Sequence, residues 1–184
     1  MVSRLLLCLA IAFPAFAAEV SGVKFEEALQ PAGLVLNGAG VRKRFIFAEV
    51  YAMGLYLPKK TREAQEAMSM PGAKRVAIHM LRDVGAEQFT EALVDGIRQN
   101  HSEAEAKALE PRLQQLAAIM AQLKEAKKGM AIALDLDGGR TQVLVDGKPQ
   151  GAPIPGEDFY VALLRIWLGP NPVQEDLRAA LLGG

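Results

Sequence analysis

Two alternating apolar runs, Met130–Leu136 (MAIALDL) and Thr141–Val145 (TQVLV), are separated by only Asp137-Gly138-Gly139-Arg140. A connection that short, built from residues that tolerate positive φ, returns the chain alongside itself, so the two runs form an antiparallel hairpin. Asp146-Gly147-Lys148 turns the chain again. Other strand-like runs lie upstream. Val20–Phe25 alternates weakly and reads as a first short strand. Leu34-Val35-Leu36 runs into Asn37-Gly38, which predicts a hairpin turn. Phe45–Leu57 (FIFAEVYAMGLYL) is aromatic and β-branched and reads as one long strand or two short ones, and Lys74–Leu81 (KRVAIHML) follows the Pro71-Gly72 turn.

Helical periodicity is confined to blocks. Thr61–Met68 is a short helix with Thr61 as N-cap. Ala86–Asn100 places Ala86, Phe89, Leu93 and Ile97 at three- and four-residue spacing. Ser102-Glu103-Ala104-Glu105 is a capping box and predicts a helix to about Ala126, kinked at Pro111, with Gly129 closing the segment. An apolar helix runs from Gly156 or Glu157 to Leu168 and is stopped by Gly169. Asn171-Pro172 reads as the N-cap and first position of a last helix ending at Gly183. Strands joined by antiparallel turns, with helices gathered in blocks, make an α+β fold with a mostly antiparallel sheet.

The chain has 184 residues, 21 basic against 21 acidic, and 51% hydrophobic side chains. That composition supports one globular domain and excludes a disordered chain. Charge balance argues against a nucleic-acid partner, because affinity for phosphate backbones comes from clustered Lys and Arg. No apolar run is long enough for a transmembrane helix. Arg4, the apolar run Leu5–Phe16 and Ala15-Phe16-Ala17 have the layout of a secretory signal peptide cut after Ala17 or Ala18. This divides the chain into a signal peptide, 1–17, and a domain, 18–184, expected in the periplasm. The only cysteine, Cys8, falls in the signal segment, so the mature domain has neither disulfide nor thiolate chemistry.

Polar chemistry is sparse. His79 lies in a strand and His101 in a helix junction, and neither has a His or Cys partner at metal-ligand spacing, so no metal is expected. Gly38-Ala39-Gly40 lacks the remaining elements of a phosphate loop, and no Gly-x-Ser-x-Gly elbow occurs. Asp135, Asp137 and Asp146 read as turn formers beside hairpins. What remains is Arg42, which follows small glycines and feeds a hydrophobic strand. It is either an exposed strand-end arginine or a partly buried guanidinium that needs an anion or carbonyl oxygens.

The segment GAGVR (38–42) followed by VYAMGLYL (50–57) resembles the start of the chalcone isomerase fold in its bacterial, exported chalcone isomerase-like branch. AKRVAIHMLRDV with the helix from Ala86, KKGMAIALDL with TQVLVDGK, and PGEDFYVALLRIWLGPNPV extend the resemblance in order along the mature chain. The resemblance implies an open-faced sandwich: a large antiparallel sheet covered on one face by helices, with an apolar cleft between them. It places the isomerases' catalytic arginine on Arg42, their first catalytic threonine on Tyr51, their water-holding tyrosine on Phe89, their asparagine on Gly96 and their last Thr or Ser on Tyr160. The segment between the first two is shorter here. In the family's fatty-acid-binding branch an arginine and a tyrosine grip the carboxylate, and Arg42 with Tyr51 is more similar to that pattern.

The expectation is therefore a non-catalytic protein holding a fatty acid or similar amphipathic anion through Arg42, Tyr51, Phe89 and Tyr160, with no cofactor. Phe45, Phe47, Met53, Phe89 and Trp167 are each either cleft wall or plain core. The alternatives are an isomerase with Arg42 as electrophile and an interaction protein with a closed cleft. Strict alternation sets Arg42 and Tyr51 on opposite faces of one strand, so a bulge or turn near Lys43-Arg44 is required.

Overall fold

The computed structural model describes residues 18–45 and 48–184. The signal segment with Cys8, and the wall candidate Phe47, lie outside them. In chain order the elements are β1 (Ala18–Val20), β2 (Val23–Phe25), β3 (Ala28–Leu29), β4 (Leu34–Arg44), β5 (Ala48–Leu57), α1 (Ala64–Ser69), β6 (Lys74–Met80), β7 (Val84–Gly85), α2 (Ala86–Arg98), α3 (Glu103–Ala121), β8 (Glu125–Ala126), β9 (Ala131–Asp137), β10 (Arg140–Val145), β11 (Lys148–Pro155), α4 (Glu157–Leu168) and α5 (Glu175–Leu181). Seven strands form one antiparallel sheet in the order β11-β10-β9-β6-β5-β4-β3.

The two faces of the sheet differ because residues alternate along each strand. Tyr51, Met53, Leu55 and Leu57 of β5, with Val76, Ile78, Met80, Ile132, Leu134 and Leu136, face the helices and join Phe89, Leu113, Leu116, Phe159 and Trp167 in the main core. The opposite face carries Ala52 and Tyr56, covered by Phe25 of the β1–β2 hairpin. Each large side chain buried in this way contributes roughly 1.5–3 kcal/mol.

The central hairpin forms as its turn residues dictate, with Arg140 opposite Asp137. The capping box at Ser102 is complete: its hydroxyl accepts from the Glu105 amide, and the Glu105 carboxylate accepts from the Ser102 amide at 2.8 Å. α3 ends at Ala121, before the expected Ala126. The chain then turns at Lys124 (φ 59°) into the short strand β8.

Asn37-Gly38 does not turn the chain. It lies inside the eleven-residue β4, at a bulge where the pairing shifts between Leu36 and Gly38. The Asn37 side chain, freed from the ladder, donates to Leu181 O at 2.7 Å and accepts from the Thr61 amide at 2.7 Å. Gly38 and Gly40 then meet α5. A Cβ on Gly38 would sit 2.1 Å from Ala180 O, and one on Gly40 would sit 2.8 Å from the Ala180 Cβ. These glycines serve close helix-on-strand packing.

The Val20–Phe25 strand is instead the two-strand hairpin β1–β2, bent at Ser21-Gly22, both with positive φ. Asn171 is not the last helix's N-cap. Its amide is held by Asn100 Oδ1 at 2.9 Å, and α5 begins after Gln174. Thr61 precedes α1 by more than a cap position, yet its hydroxyl still accepts from the Glu63 amide at 3.1 Å. Asp135 is a strand residue paired with Arg75 across β6 and β9. Asp146 does form its turn, accepting from the Ala131 amide at 2.9 Å.

Candidate functional site

β4 and β5 are the two strands on either side of the turn at Phe45, and that turn resolves the conflict between Arg42 and Tyr51. In the antiparallel ladder the two residues are direct partners, which places them on one face. The register shifts between Arg42 and Lys43, leaving Val50 as an extra residue on β5. Both the turn and the bulge required by the alternation are therefore present.

Arg42 and Tyr51 line a cleft of about 790 Å³ between this end of the sheet, helix α2 and the segment leading into α5. Its walls include Val50, Phe89, Leu93, Ile166 and Val173. Arg44 and Arg82 lie on the sheet side of its mouth, and Glu91 and Asp95 of α2 on the other side. Phe45 stands at the mouth, 84% exposed.

Arg42 is half-buried and is not a free strand-end arginine. Its Nη1 donates to the carbonyl of Lys43 and, at 3.3 Å, to Gln174 Oε1. Gln174 Oε1 also accepts from the Lys43 amide at 2.8 Å, while Gln174 Nε2 donates to Val41 O at 3.2 Å. One glutamine thus fastens the end of β4 to the start of α5 and sets the guanidinium's position. Sequence reasoning missed it, because nothing local distinguishes a glutamine that docks on a strand 131 residues away in the chain. A guanidinium has five N–H donors, and both of these contacts use Nη1.

Tyr51 is nearly buried, and its ring packs edge-on against Phe89 with centroids 6.3 Å apart. Its hydroxyl accepts from Trp167 Nε1 at 2.9 Å. Burial raises the phenol's pKa, while the Trp167 hydrogen bond and the charge of Arg42 pull against it. The hydroxyl therefore keeps its proton at neutral pH. The indole N–H occupies one lone pair and leaves the hydroxyl proton as a donor.

Phe89 lines the same cleft, so the structure brings together Arg42, Tyr51 and Phe89. It does not bring Tyr160 to them. That side chain is buried in the core and its hydroxyl donates to Leu134 O at 2.9 Å. Met53 and Trp167 are core, with Trp167 standing behind Tyr51. Gly96 also lines the cleft, but a Cβ there would fall 2.8 Å from Ile166 Cγ2. The absence of a side chain lets α2 approach α4. His101 is half-buried, with Nδ1 2.8 Å from Ile97 O. Among the described residues there is no His, Cys, Asp and Glu cluster able to hold a metal, and no helix is long and apolar enough to cross a membrane.

The family model described as chalcone isomerase-like matches residues 17–183. The chain belongs to the chalcone isomerase-like family. Among solved structures, the fold is similar to that of a fatty-acid binding protein from Arabidopsis thaliana, at 15% identity and a TM-score of 0.67. The match covers 89% of this chain and 96% of the plant protein. No curated protein matches the chain by sequence. For this family member, the open-faced sandwich expected from the motifs is the observed architecture: a large antiparallel sheet with helices on one face.

Proposed function

We propose that the protein is a non-catalytic binder of a fatty acid or similar amphipathic anion, held in the cleft beside Arg42. The observation that carries this reading is the direct pairing of Arg42 with Tyr51 at the wall of an open cleft. A guanidinium matches a carboxylate with a planar fork of donors, and a protonated phenol beside it adds another. The cleft volume lies in the range of small-molecule sites, ~300–1,000 Å³, and its wall residues accept a hydrocarbon chain. The structural likeness to a plant fatty-acid binding protein supports the same ligand class. An accessible cleft next to Arg42 also supports this reading over an interaction protein with a closed interior.

Catalysis of flavanone ring closure needs a placed phenolate, a held water and a stabilised enolate. Arg42 could serve the last of these. Phe89 supplies no hydroxyl, and an asparagine at position 96 would have to displace Ile166. Naringenin chalcone should therefore close at its spontaneous rate in the presence of the protein, and a faster rate lost in Arg42→Ala would replace this reading with the isomerase one. We place the mature protein in the periplasm on the strength of Arg4, the apolar run and Ala15-Phe16-Ala17. The exported protein should begin at Ala18 or Glu19 on N-terminal sequencing. Mass spectrometry of molecules copurifying with it should find long-chain carboxylic acids, and a delipidated protein that binds none of them contradicts the ligand reading.

A further inference from the structure

The turn after β4 presents Lys43, Arg44 and Phe45, all exposed. Phe45 stands out among the described residues as the exposed large hydrophobic side chain, at 84%. Its backbone is left-handed, φ 58°, an unusual conformation for a bulky residue, and its ring sits 5.7 Å from the Arg44 guanidinium carbon. Phe45 thus holds an aromatic ring out into water at the tip of the sheet, beside a guanidinium.

The strand register shows what surrounds it. Tyr51 pairs with Met80, and Met80 exchanges backbone hydrogen bonds with Met130 and Gly129. Arg82, just after β6, and Lys127 and Lys128, just before β9, therefore share the sheet end with Lys43 and Arg44. All three are exposed. The acidic groups on the sheet side of this end are Glu49, Asp83 and Asp146, with Asp83 engaged by the Lys128 amide at 2.7 Å and Asp146 by the Ala131 amide at 2.9 Å. Glu91 and Asp95 of α2 lie across the mouth of the cleft. On the sheet side of this end five exposed cations thus stand beside three carboxylates, two of which are engaged by backbone amides. The cleft opens at the same end, since Arg44, Phe45 and Arg82 line it.

We propose that this end of the sheet docks on an anionic lipid surface, with Phe45 inserted at the headgroup level and Lys43, Arg44, Arg82, Lys127 and Lys128 against the phosphates. Basic side chains next to an anionic bilayer add binding within a Debye length of it, and an aromatic ring supplies the apolar part. Docked in this way, the mouth of the cleft opens onto the lipid. The surface is independent of what the cleft holds, so a test on delipidated protein does not depend on the fatty-acid reading.

Co-sedimentation of the delipidated mature protein with vesicles is the direct measurement. One set is phosphatidylcholine alone, and the other is phosphatidylcholine mixed equally with phosphatidylglycerol. The protein should sediment with the anionic set and stay in solution with the neutral set, and added salt should release it. Lys43→Gln with Lys127→Gln and Lys128→Gln should weaken binding by about fivefold for each charge removed. Phe45→Ser should weaken it roughly tenfold, the scale of withdrawing most of one aromatic side chain from an apolar phase. All four positions are exposed, so thermal unfolding should be unchanged. Failure to sediment with anionic vesicles, equal sedimentation with both sets, or wild-type binding by both variants overturns the proposal. So does self-association in lipid-free ultracentrifugation that Phe45→Ser abolishes, which would make the tip a contact between copies.

Discussion

The Tyr51 hydroxyl accepts from Trp167, and burial keeps the proton on its oxygen. In the proposed function that proton is the donor to a carboxylate. Tyr51→Phe removes the donor and leaves the Trp167 N–H without its acceptor. Loss of one hydrogen bond to a charged group should weaken fatty-acid binding by roughly 1.5–3 kcal/mol, read by calorimetry. Trp167→Phe tests the positioning role separately. The phenol would then lose its anchor but keep its proton, so affinity should fall by less than in Tyr51→Phe. Equal losses in the two variants would show that the indole, rather than the phenol, carries the interaction.

At the scale of elements, the site depends on α5 lying directly on β4. Gly38 and Gly40 permit the approach, Asn37 ties the strand to the end of the helix, and Gln174 ties the start of the helix to Arg42. Gly38→Ala places a methyl carbon in the space held by the Ala180 carbonyl. Backbone must move to relieve it, so the variant should lose about 1–3 kcal/mol or more in urea unfolding, and ligand affinity should fall with it as Gln174 shifts. Unchanged stability would mean that α5 is loosely seated.

The helices α2, α3 and α4 and the central hairpin were legible in the sequence because capping boxes, apolar periodicity and glycine turns are local signals. Asn37-Gly38 misled because the same dipeptide suits a bulge inside a strand whose fate is decided by a distant helix. β11 went unread because Pro149, Pro153 and Pro155 look like breakers. They are tolerated on the edge of the sheet, where a missing N–H faces no partner strand. Arg42 and Tyr51 were found through motif likeness, and their cross-strand pairing follows from the turn at Phe45. Gln174 and the Trp167–Tyr51 bond had no local signature, since each joins residues more than a hundred positions apart.

For the whole molecule, buried phenols set an alkaline limit on stability. Burial raises the pKa of Tyr51 and Tyr160 above the ordinary 10.0 and pushes Tyr56 up to about 12, where the neighbouring Glu26 adds to the effect. Unfolding releases these phenols to their ordinary value, so above it the unfolded chain gives up protons that the folded one retains. Their stabilising contribution is complete below about pH 10 and declines above it, that of Tyr56 being lost as the pH climbs through about 12. Lys74 works the other way just below its ordinary 10.5, because burial lowers its pKa, the charge of Glu157 only partly opposing this. The urea midpoint should fall as the pH rises from about 10 to about 12, and Tyr56→Phe should flatten part of that fall. A midpoint that holds across the range would mean these phenols ionise freely in the folded state.

In the proposed function a carboxylate pairs with Arg42 in a cleft whose apolar wall residues Val50, Phe89, Leu93 and Ile166 take the tail. Each methylene of a fatty acid buried there contributes about 0.8 kcal/mol whether or not the head is charged, whereas the charged head is costly to bury unpaired. Calorimetric titration of delipidated wild type and Arg42→Ala, each with a long-chain fatty acid and with its methyl ester, separates the two contributions. Arg42→Ala should weaken the acid far more than the ester. Equal losses for acid and ester, or a wild type that binds no fatty acid, would contradict the carboxylate clamp.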